Sequence, residues 1–258
     1  MSQYFGNSAF DEGNHAFGGQ YGEALLELLA PKEGEQILDL GCSTGQLTER
    51  IYQKSHAFVQ GIDLFKSSID RAKETYPHIK FSDQDARKFK VEEPLDAVFS
   101  HEVLHLIKEP DAVINCVEQA LKPGGRFVAE FNCEGNVGAI VGAHLSVVLS
   151  EISGQEPEAL NPWYCPSIGE YTGLLKKQGF DVRDAGLCNR PTPLEGGRLG
   201  MVSLIETFTD KFLPGLSDDV RSPQVINSVE ERLRPALYRD GNWIADYWRI
   251  RVFAVKNY

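Results

Sequence analysis

The chain has no uninterrupted apolar segment long enough to cross a bilayer. A membrane-spanning helix needs about 20 apolar residues, and the most apolar candidate, 138–149, is shorter and contains His144. The N-terminal stretch is polar and rich in glycine, and it lacks the basic and then apolar order of a signal peptide. We therefore expect a cytoplasmic protein without integral membrane association.

The sequence also has little positive charge and no paired cysteines. Its 26 Lys and Arg against 37 Asp and Glu give a net charge of −11, and no basic cluster interrupts this balance. Because a nucleic-acid partner needs a basic face to neutralise phosphates, we expect no nucleic acid and a small-molecule substrate instead. The 5 cysteines form no C-x-x-C pair, so we expect free thiols. Nothing in the sequence indicates an oligomeric state.

Short apolar runs alternate with helical patterns along the first half of the chain. Strands are predicted at 37–40, 58–62, 79–82, 95–100 and 126–131, and helices at 20–29, 46–53, 67–75 and 111–121. The segment Lys122-Pro-Gly-Gly125 predicts a break between helix and strand. This alternation is typical of right-handed crossovers and a mainly parallel, doubly wound α/β sheet.

The pattern changes after Asn132. Helices are predicted at 136–153, 167–178, 198–212 and 225–234, a loop at 191–197, and further strands at 180–187 and 248–256. The 167–178 helix begins with the capping-box pair Ser167 and Glu170. We therefore predict a seven-stranded sheet, with the inserted helices and the N-terminal arm forming a cap.

A glycine-rich loop follows the first predicted strand, in the stretch Ile37-Leu-Asp-Leu-Gly-Cys-Ser-Thr-Gly45. Ligands of open parallel sheets bind at the carboxyl ends of the strands, where the strand order reverses. Dinucleotide enzymes place G-x-G-x-x-G here against a pyrophosphate. This chain has G-x-x-x-G preceded by Asp39, and an anionic residue suits an ammonium or sulfonium group better than a pyrophosphate. The loop therefore favours S-adenosylmethionine over a nicotinamide dinucleotide.

Two further acids follow the next two predicted strands. Asp63 ends the second strand and is placed to accept hydrogen bonds from ribose hydroxyls, whereas Asp85 follows the third strand and could face the adenine amino group. Each acid has an ordinary alternative: Asp39 could satisfy loop amides, Asp63 could cap a helix, and Asp85 could be a turn residue. Three acids after three successive strands favour the ligand interpretation.

These segments resemble class I S-adenosylmethionine-dependent methyltransferases. The stretch I-L-D-L-G-C-S-T-G is similar to the family's glycine loop, and the later motifs correspond to Gly61-Ile-Asp63, Asp85-Ala86, Asp96-Ala-Val-Phe99 and Leu121-Lys-Pro-Gly-Gly125. Ser43 departs from the glycine usual in the family. The resemblance implies a last strand that runs antiparallel between the fifth and sixth, and S-adenosylhomocysteine as product. The cofactor contacts that it implies are Asp39, Gly41, Ser43, Gly45, Gln46, Asp63, Leu64, Asp85, Ala86 and His101.

The second half resembles the trans-aconitate methyltransferase-like branch, through Pro166-Ser-Ile-Gly-Glu-Tyr171, Arg190-Pro-Thr-Pro-Leu-Glu-Gly196 and Asp246-Tyr-Trp-Arg-Ile-Arg251. Members of that branch methylate a carboxylate oxygen of a small polyacid. The resemblance implies one methyltransferase domain over 1–258, with a cofactor-binding core at 20–131 and a substrate-side cap from 1–19, 136–178 and 191–240.

A carboxylate acceptor is already ionised at neutral pH and needs no general base, but it needs a cationic clamp. Arg190 and Arg198 flank the 191–197 loop and are the clamp candidates, while Trp163 and Tyr164 are candidates for lining the acceptor pocket. The alternatives are solvated surface charges for the arginines and packing for the aromatic residues.

No catalytic residue is assigned by the resemblance. His101 and His105 are candidates if the acceptor needs a base, and packing is the alternative for His105. The spacing H-E-x-x-x-H differs from that of a zinc-binding helix, so we expect no metal. Two other functions remain open, namely a cyclopropane-fatty-acyl-phospholipid synthase and a non-catalytic module that binds S-adenosylmethionine. Asp39 and the glycine spacing disfavour a nicotinamide dehydrogenase.

Overall fold

The computed structural model describes residues 23–161, 163–212, 218 and 221–258. The predicted N-terminal arm, 1–19, lies outside these residues. The chain divides into two compact units. The core unit contains the described residues up to Phe131 together with Ser167–Gly186 and Ile250–Tyr258, and the insert unit contains those of Asn132–Pro166 and Leu187–Arg249.

The first part of the chain alternates strands and helices as predicted. In chain order the elements are α1 (23–29), β1 (Gln36–Leu40), α2 (Gln46–Ser55), β2 (Phe58–Asp63), α3 (Lys66–Thr75), β3 (Lys80–Asp83), β4 (Leu95–His101), a 3₁₀ turn (Leu104–Leu106), α4 (Pro110–Ala120) and β5 (Leu121–Asn132). The remaining elements are α5 (Val137–Ser153), α6 (Pro157–Leu160), α7 (Ile168–Lys177), β6 (Phe180–Pro193), α8 (Arg198–Phe212), α9 (Pro223–Leu237), β7 (Tyr238–Arg239) and β8 (Asn242–Lys256).

The sheet has the order β3-β2-β1-β4-β5-β8-β6, and the two-residue strand β7 pairs with β8. Strands β1 to β5 run parallel to one another, and the last strands are antiparallel. The last long strand therefore lies between the fifth and the sixth, and the predicted fold class is confirmed. The strand order reverses between β1 and β4, which is where such sheets bind ligands.

The central strands are nearly continuous apolar runs. Ile37, Leu38 and Leu40 of β1 are fully buried, as are Val98 and Phe99 of β4. Strands with this pattern are covered on both faces, as parallel sheets usually are. Among the described residues, no helix combines the length and apolar character required to cross a membrane.

Strand β5 begins earlier than predicted. The Lys122–Gly125 segment ends α4, but it continues as extended chain because Leu121 already pairs with Leu95. The register then shifts between Leu95 and Ala97, and Gly124 takes a positive φ of 77°. From Leu95 to Ala97 strand β4 advances by two positions, while β5 advances by five, from Leu121 to Arg126, so this irregularity holds three additional residues of β5. The predicted break is present at the end of α4, but the strand begins at Leu121 rather than at the predicted position 126.

The last two long strands are also longer than predicted. Strand β6 extends to Pro193, so residues 191–193 are extended rather than part of a loop. Strand β8 begins at Asn242, because Asp240 and Gly241 form a two-residue turn with φ values of 50° and 83°. Positive φ at both positions is typical of a type I′ hairpin turn, for which Asp-Gly is a favoured sequence.

Helix α7, which we expected in the cap, clusters with the core unit. Its capping box is present, since the Ser167 hydroxyl accepts from the Glu170 amide and the Glu170 carboxylate accepts from the Ser167 amide. The ring of Tyr171 packs edge-on against Phe131 with 4.7 Å between centroids. This aromatic contact attaches the helix to the core unit.

The insert unit has its own apolar core. Helices α5, α8 and α9 bury Val141, Ile205 and Val229 together with Trp243. These four side chains are at most 1% exposed. The insert unit therefore has a packed centre of its own from which water is excluded.

Candidate active site

The glycine loop between β1 and α2 lies against the residues that follow β4. The amides of Gly41 and Cys42 donate to the Ile62 carbonyl, at 2.8 and 3.0 Å. Gly41 has a φ of 83°, and a Cβ at this position would lie 2.2 Å from Cγ2 of Val103. Gly45 has a φ of 85°. Only glycine combines this backbone conformation with so close an approach.

Ser43 also has a positive φ, of 49°. This left-handed conformation is unfavourable for a residue with a Cβ, by about 1–2 kcal/mol. The departure from glycine at this position is therefore accommodated with strain. The Ser43 amide donates to Oδ2 of Asp63 at 3.0 Å, which helps to hold the loop in place.

Asp63 connects the glycine loop to the chain after β2. Its Oδ2 accepts from the Ser43 amide, and its Oδ1 accepts from the Phe65 amide at 2.9 Å. The N-cap of α3 is Phe65, so Asp63 does not have the helix-capping position that was the alternative. A carboxylate oxygen can accept more than one hydrogen bond, so these contacts are compatible with ribose binding, which stays a prediction.

Asp39 lies beneath the loop and is 2% exposed. Its Oδ2 accepts a hydrogen bond from the Thr48 hydroxyl at 2.7 Å. Burial raises the pKa of this carboxyl to about 7, the bond from Thr48 opposes the rise, and the charge of Asp63 adds to it. A cationic ligand nearby would favour the ionised form, because an opposite charge lowers the pKa of a carboxyl.

Asp85 is held by a neighbouring arginine. Arg87 donates from Nε to Oδ1 at 3.0 Å and from Nη2 to Oδ2 at 2.7 Å, and its amide also donates to Oδ1. The hydrogen bond from Arg87 is the largest cause that lowers the pKa of Asp85. Asp85 therefore has the contacts of a turn residue, and its proposed contact with adenine stays a prediction.

The other predicted cofactor contacts lie on the same loops. Gln46 is the first residue of α2 and is exposed, whereas Ala86 is half-buried beside Asp85. Leu64 is 58% exposed next to Asp63, which leaves an apolar surface at the end of β2. The structure thus places the predicted residues at the carboxyl ends of β1, β2 and β3.

The end of β4 brings His101 next to a buried acid that the sequence did not reveal. His101 pairs in register with Glu130 of β5, and its Nε2 lies 4.0 Å from Glu130 Oε1. Glu130 is fully buried, and its Oε2 accepts from Arg251 Nε at 2.7 Å and Nη2 at 2.6 Å. His105, in the 3₁₀ turn, is 6% exposed, which is compatible with packing.

The predicted acceptor residues lie in the insert unit. Arg198 donates from Nε to Glu230 at 2.7 Å and from Nη2 to Asn227 at 2.6 Å, so its guanidinium is already engaged. Arg190 is half-buried on β6. Their roles as clamps stay predictions.

A cavity of about 430 Å³ lies within the insert unit, and Trp163 forms part of its wall. The apolar part of the wall comes from Ala139, Ile140 and Ala143, and Glu134, His144 and Cys165 are its titratable groups. Burial lowers the pKa of His144, and the charge of Arg232 acts in the same direction. Tyr164, the other aromatic candidate, is half-buried.

The fold and the loops together define the class of protein. A parallel sheet with an inserted antiparallel last strand carries a glycine loop at the reversal of strand order and a buried acid after β2. Residues 31–179 match the family model described as a methyltransferase domain, which is more than half of the chain. The chain belongs to this family and is a class I S-adenosylmethionine-dependent methyltransferase.

Two similar proteins are named as methyltransferases, and a solved structure shares the fold. The chain is 30% identical over 248 residues to the uncharacterized methyltransferase C70.08c of Schizosaccharomyces pombe, with 90% of each chain covered. It is 26% identical over 162 residues to trans-aconitate 2-methyltransferase of an Enterobacter strain, with 61% of each covered. The crystal structure of the YcgJ protein from Bacillus subtilis has a TM-score of 0.68 at 13% identity, covering 93% of this chain and 99% of that one. The last similarity shows the fold alone.

Proposed function

We propose that this methyltransferase acts on a carboxylate oxygen of a small organic acid. The observation that carries the proposal is the similarity to trans-aconitate 2-methyltransferase, over 61% of the chain. The absence of a basic cluster in a chain of net charge −11 argues against a nucleic-acid acceptor, which favours a small molecule. A cytoplasmic location is part of the same prediction.

The proposed step is a displacement at the methyl carbon. A carboxylate oxygen forms a bond to that carbon, the carbon–sulfur bond breaks, and its electron pair returns to sulfur. The products are a methyl ester and S-adenosylhomocysteine. No proton is transferred, so alignment of oxygen, carbon and sulfur is the main contribution that the protein can make.

The donor would be held by the loops of the core unit. Gly41 and Gly45 allow the backbone to approach it, Asp63 has acceptor capacity for its ribose, and the buried carboxyl of Asp39 gains ionisation next to its cationic head. When bound, S-adenosylmethionine supplies the activated methyl group.

The acceptor needs a positive partner, and Arg190 is the proposed clamp. Its half-buried position on β6 would strengthen a bidentate pair with a carboxylate relative to an exposed arginine. A suitable control is Arg183 on the same strand, whose side chain is 60% exposed and pairs with Asp181 at 2.8 Å. Arg190→Ala should raise the KM for the acid severalfold, whereas Arg183→Ala should not.

The test begins with transfer of labelled methyl to a panel of small acids, phenols, amines and unsaturated phospholipid vesicles. With the best acid and saturating S-adenosylmethionine, the rate should stay flat from about pH 6 to about pH 9, because the acceptor is fully ionised throughout and the bound cationic donor keeps Asp39 ionised. The product should be an ester that mild base hydrolyses.

Other acceptors predict a different profile. A phenol or an amine must lose a proton, so the rate would rise through a titrating step. Turnover of vesicles but of no acid would favour cyclopropane-fatty-acyl-phospholipid synthesis, and donor binding without turnover of any class would favour a non-catalytic module. A steep rise that disappears in His101→Ala or His105→Ala would contradict the carboxylate assignment while leaving methyl transfer intact.

A further inference from the structure

Three potential metal ligands meet at the carboxyl ends of β4 and β5. One ligand atom from each of His101, Glu102 and Glu130 lies within 4.8 Å of the other two. The strand register causes this arrangement, because His101 and Glu130 are paired across β4 and β5. The Glu102 amide donates to the Glu130 carbonyl at 2.8 Å, which fixes the second carboxylate beside the first.

The charges in this cluster favour a cation. Both contacts of Arg251 with Glu130 go to Oε2, so Oε1 is the oxygen on the side of His101, 4.0 Å from its Nε2. The two carboxylates bring negative charge to this group, and the imidazole brings a nitrogen donor. Glu130 is fully buried and the other two ligands are half-buried, so solvent screens the carboxylate charges less than at an open surface.

The geometry points to a divalent transition-metal site formed by His101, Glu102 and Glu130. Metal–ligand bonds of about 2.0–2.2 Å place two ligands of one ion roughly 3–4 Å apart. The His101–Glu130 distance of 4.0 Å lies at the upper end of this range, and a ligand atom of Glu102 lies within 4.8 Å of both. One imidazole nitrogen with two carboxylate oxygens suits Mn²⁺, Fe²⁺ or Zn²⁺ better than Mg²⁺ or Ca²⁺. Three protein ligands leave positions open for water or a substrate oxygen.

This inference revises the expectation of no metal. The expectation was based on the spacing of residues close in sequence, namely His101, Glu102 and His105. In the structure the third ligand is Glu130 rather than His105. Glu130 lies 29 positions after His101, and the pairing of β4 with β5 brings His101 and Glu130 together.

The cluster lies beside the glycine loop. The Ser100 hydroxyl donates to the Leu40 carbonyl at 2.9 Å, and the Val103 side chain fills the space in front of Gly41. His101 and Glu102 are the two residues between these contacts. An ion here could hold an acceptor carboxylate that Glu102 and Glu130 would otherwise repel. That role rests on the proposed function, whereas metal binding itself does not.

The experiment titrates the full-length protein with Mn²⁺ alone, without methyl donor or acceptor, and follows the loss of the free-ion electron paramagnetic resonance signal. We expect one saturable site per chain. His101→Ala and Glu102→Gln should each weaken the affinity for Mn²⁺ by at least roughly tenfold, because loss of a residue that only supports a metal ligand already has an effect of that size. His78→Ala and Glu92→Gln are controls of the same residue types. Both residues are exposed and pair elsewhere, with Glu49 and Lys80, so both variants should bind Mn²⁺ as the wild type does.

Two outcomes would overturn the site. One is the absence of saturable binding of Mn²⁺ and of Zn²⁺ at millimolar concentration, and the other is binding that persists unchanged in both His101→Ala and Glu102→Gln. Glu130→Gln is a less direct probe because it also removes the partner of Arg251, so the two half-buried ligands carry the test. If organic acids fail as acceptors, the proposed function is wrong, but the result of the Mn²⁺ titration does not change.

Discussion

The buried carboxyl of Asp39 should make the stability of this protein depend on pH in an unusual direction. Its pKa rises from 3.8 to about 7, mainly through burial. At about 1.4 kcal/mol per unit, ionising it in the folded state costs up to about 4 kcal/mol. Asp39→Asn removes the ionisation and keeps the shape, and the Thr48 hydroxyl, 2.7 Å from Oδ2, can still donate to the amide oxygen.

The sign follows from proton binding. Between about pH 4 and about pH 7 the folded state keeps a proton on Asp39 that the unfolded chain has lost, so stability falls as pH rises and the full cost is reached above the folded pKa. The Asn variant does not titrate at this position. Its stability relative to the wild type should therefore be similar near about pH 4 and should increase to a gain of up to about 4 kcal/mol near about pH 8.

The assay is urea unfolding of the protein without cofactor at several pH values. Asp70→Asn is the matched control, because Asp70 is 50% exposed and pairs with Lys66 one helical turn away. Such surface pairs contribute about 0–1 kcal/mol, so its difference from the wild type should stay small at every pH. The reasoning fails if the wild type gains stability relative to Asp39→Asn as the pH rises from about 4 to about 8.

Two further predictions concern the cofactor loops. Asp63→Ala should weaken S-adenosylhomocysteine binding more than Asp85→Ala does, by up to roughly 1.5–3 kcal/mol per lost hydrogen bond. The reason is that Asp63 also accepts from the Ser43 amide, whereas both oxygens of Asp85 accept from Arg87. Equal or reversed losses of affinity in a calorimetric titration would contradict this placement. Ser43→Gly should leave binding intact or improve it, since glycine adopts the φ of 49° without a steric penalty. A severe loss of affinity in that variant would mean that the serine hydroxyl contacts the ligand.

The strand ends and turns around Asp39 and Asp63 could be predicted because their signals are local, whereas their contacts with a cofactor stay predictions. The glycine spacing around Asp39 and the acid at the end of β2 mark a strand end, a turn that needs positive φ and a helix start, all within a few residues. The helix at 137–153 and the capping box at Ser167 were confirmed for the same reason. Periodicity and caps identify such elements without tertiary information.

The acidic cluster at the end of β4 depends on contacts that no local pattern contains. Glu130 and Arg251 are separated by 121 positions and meet only because β8 is inserted beside β5. The resemblance implied that strand order, but not which side chains would be opposite one another. The hairpin at Asp240-Gly241 is different, because its turn sequence was present and would have predicted the earlier start of β8.

Calorimetric titration of the wild-type chain with S-adenosylhomocysteine and with NAD decides whether the loop after β1 binds S-adenosylmethionine. We expect one S-adenosylhomocysteine per chain with low-micromolar or tighter affinity, a weaker affinity in Asp63→Ala, and no heat of binding with NAD. Saturable binding of NAD without binding of S-adenosylhomocysteine would contradict it.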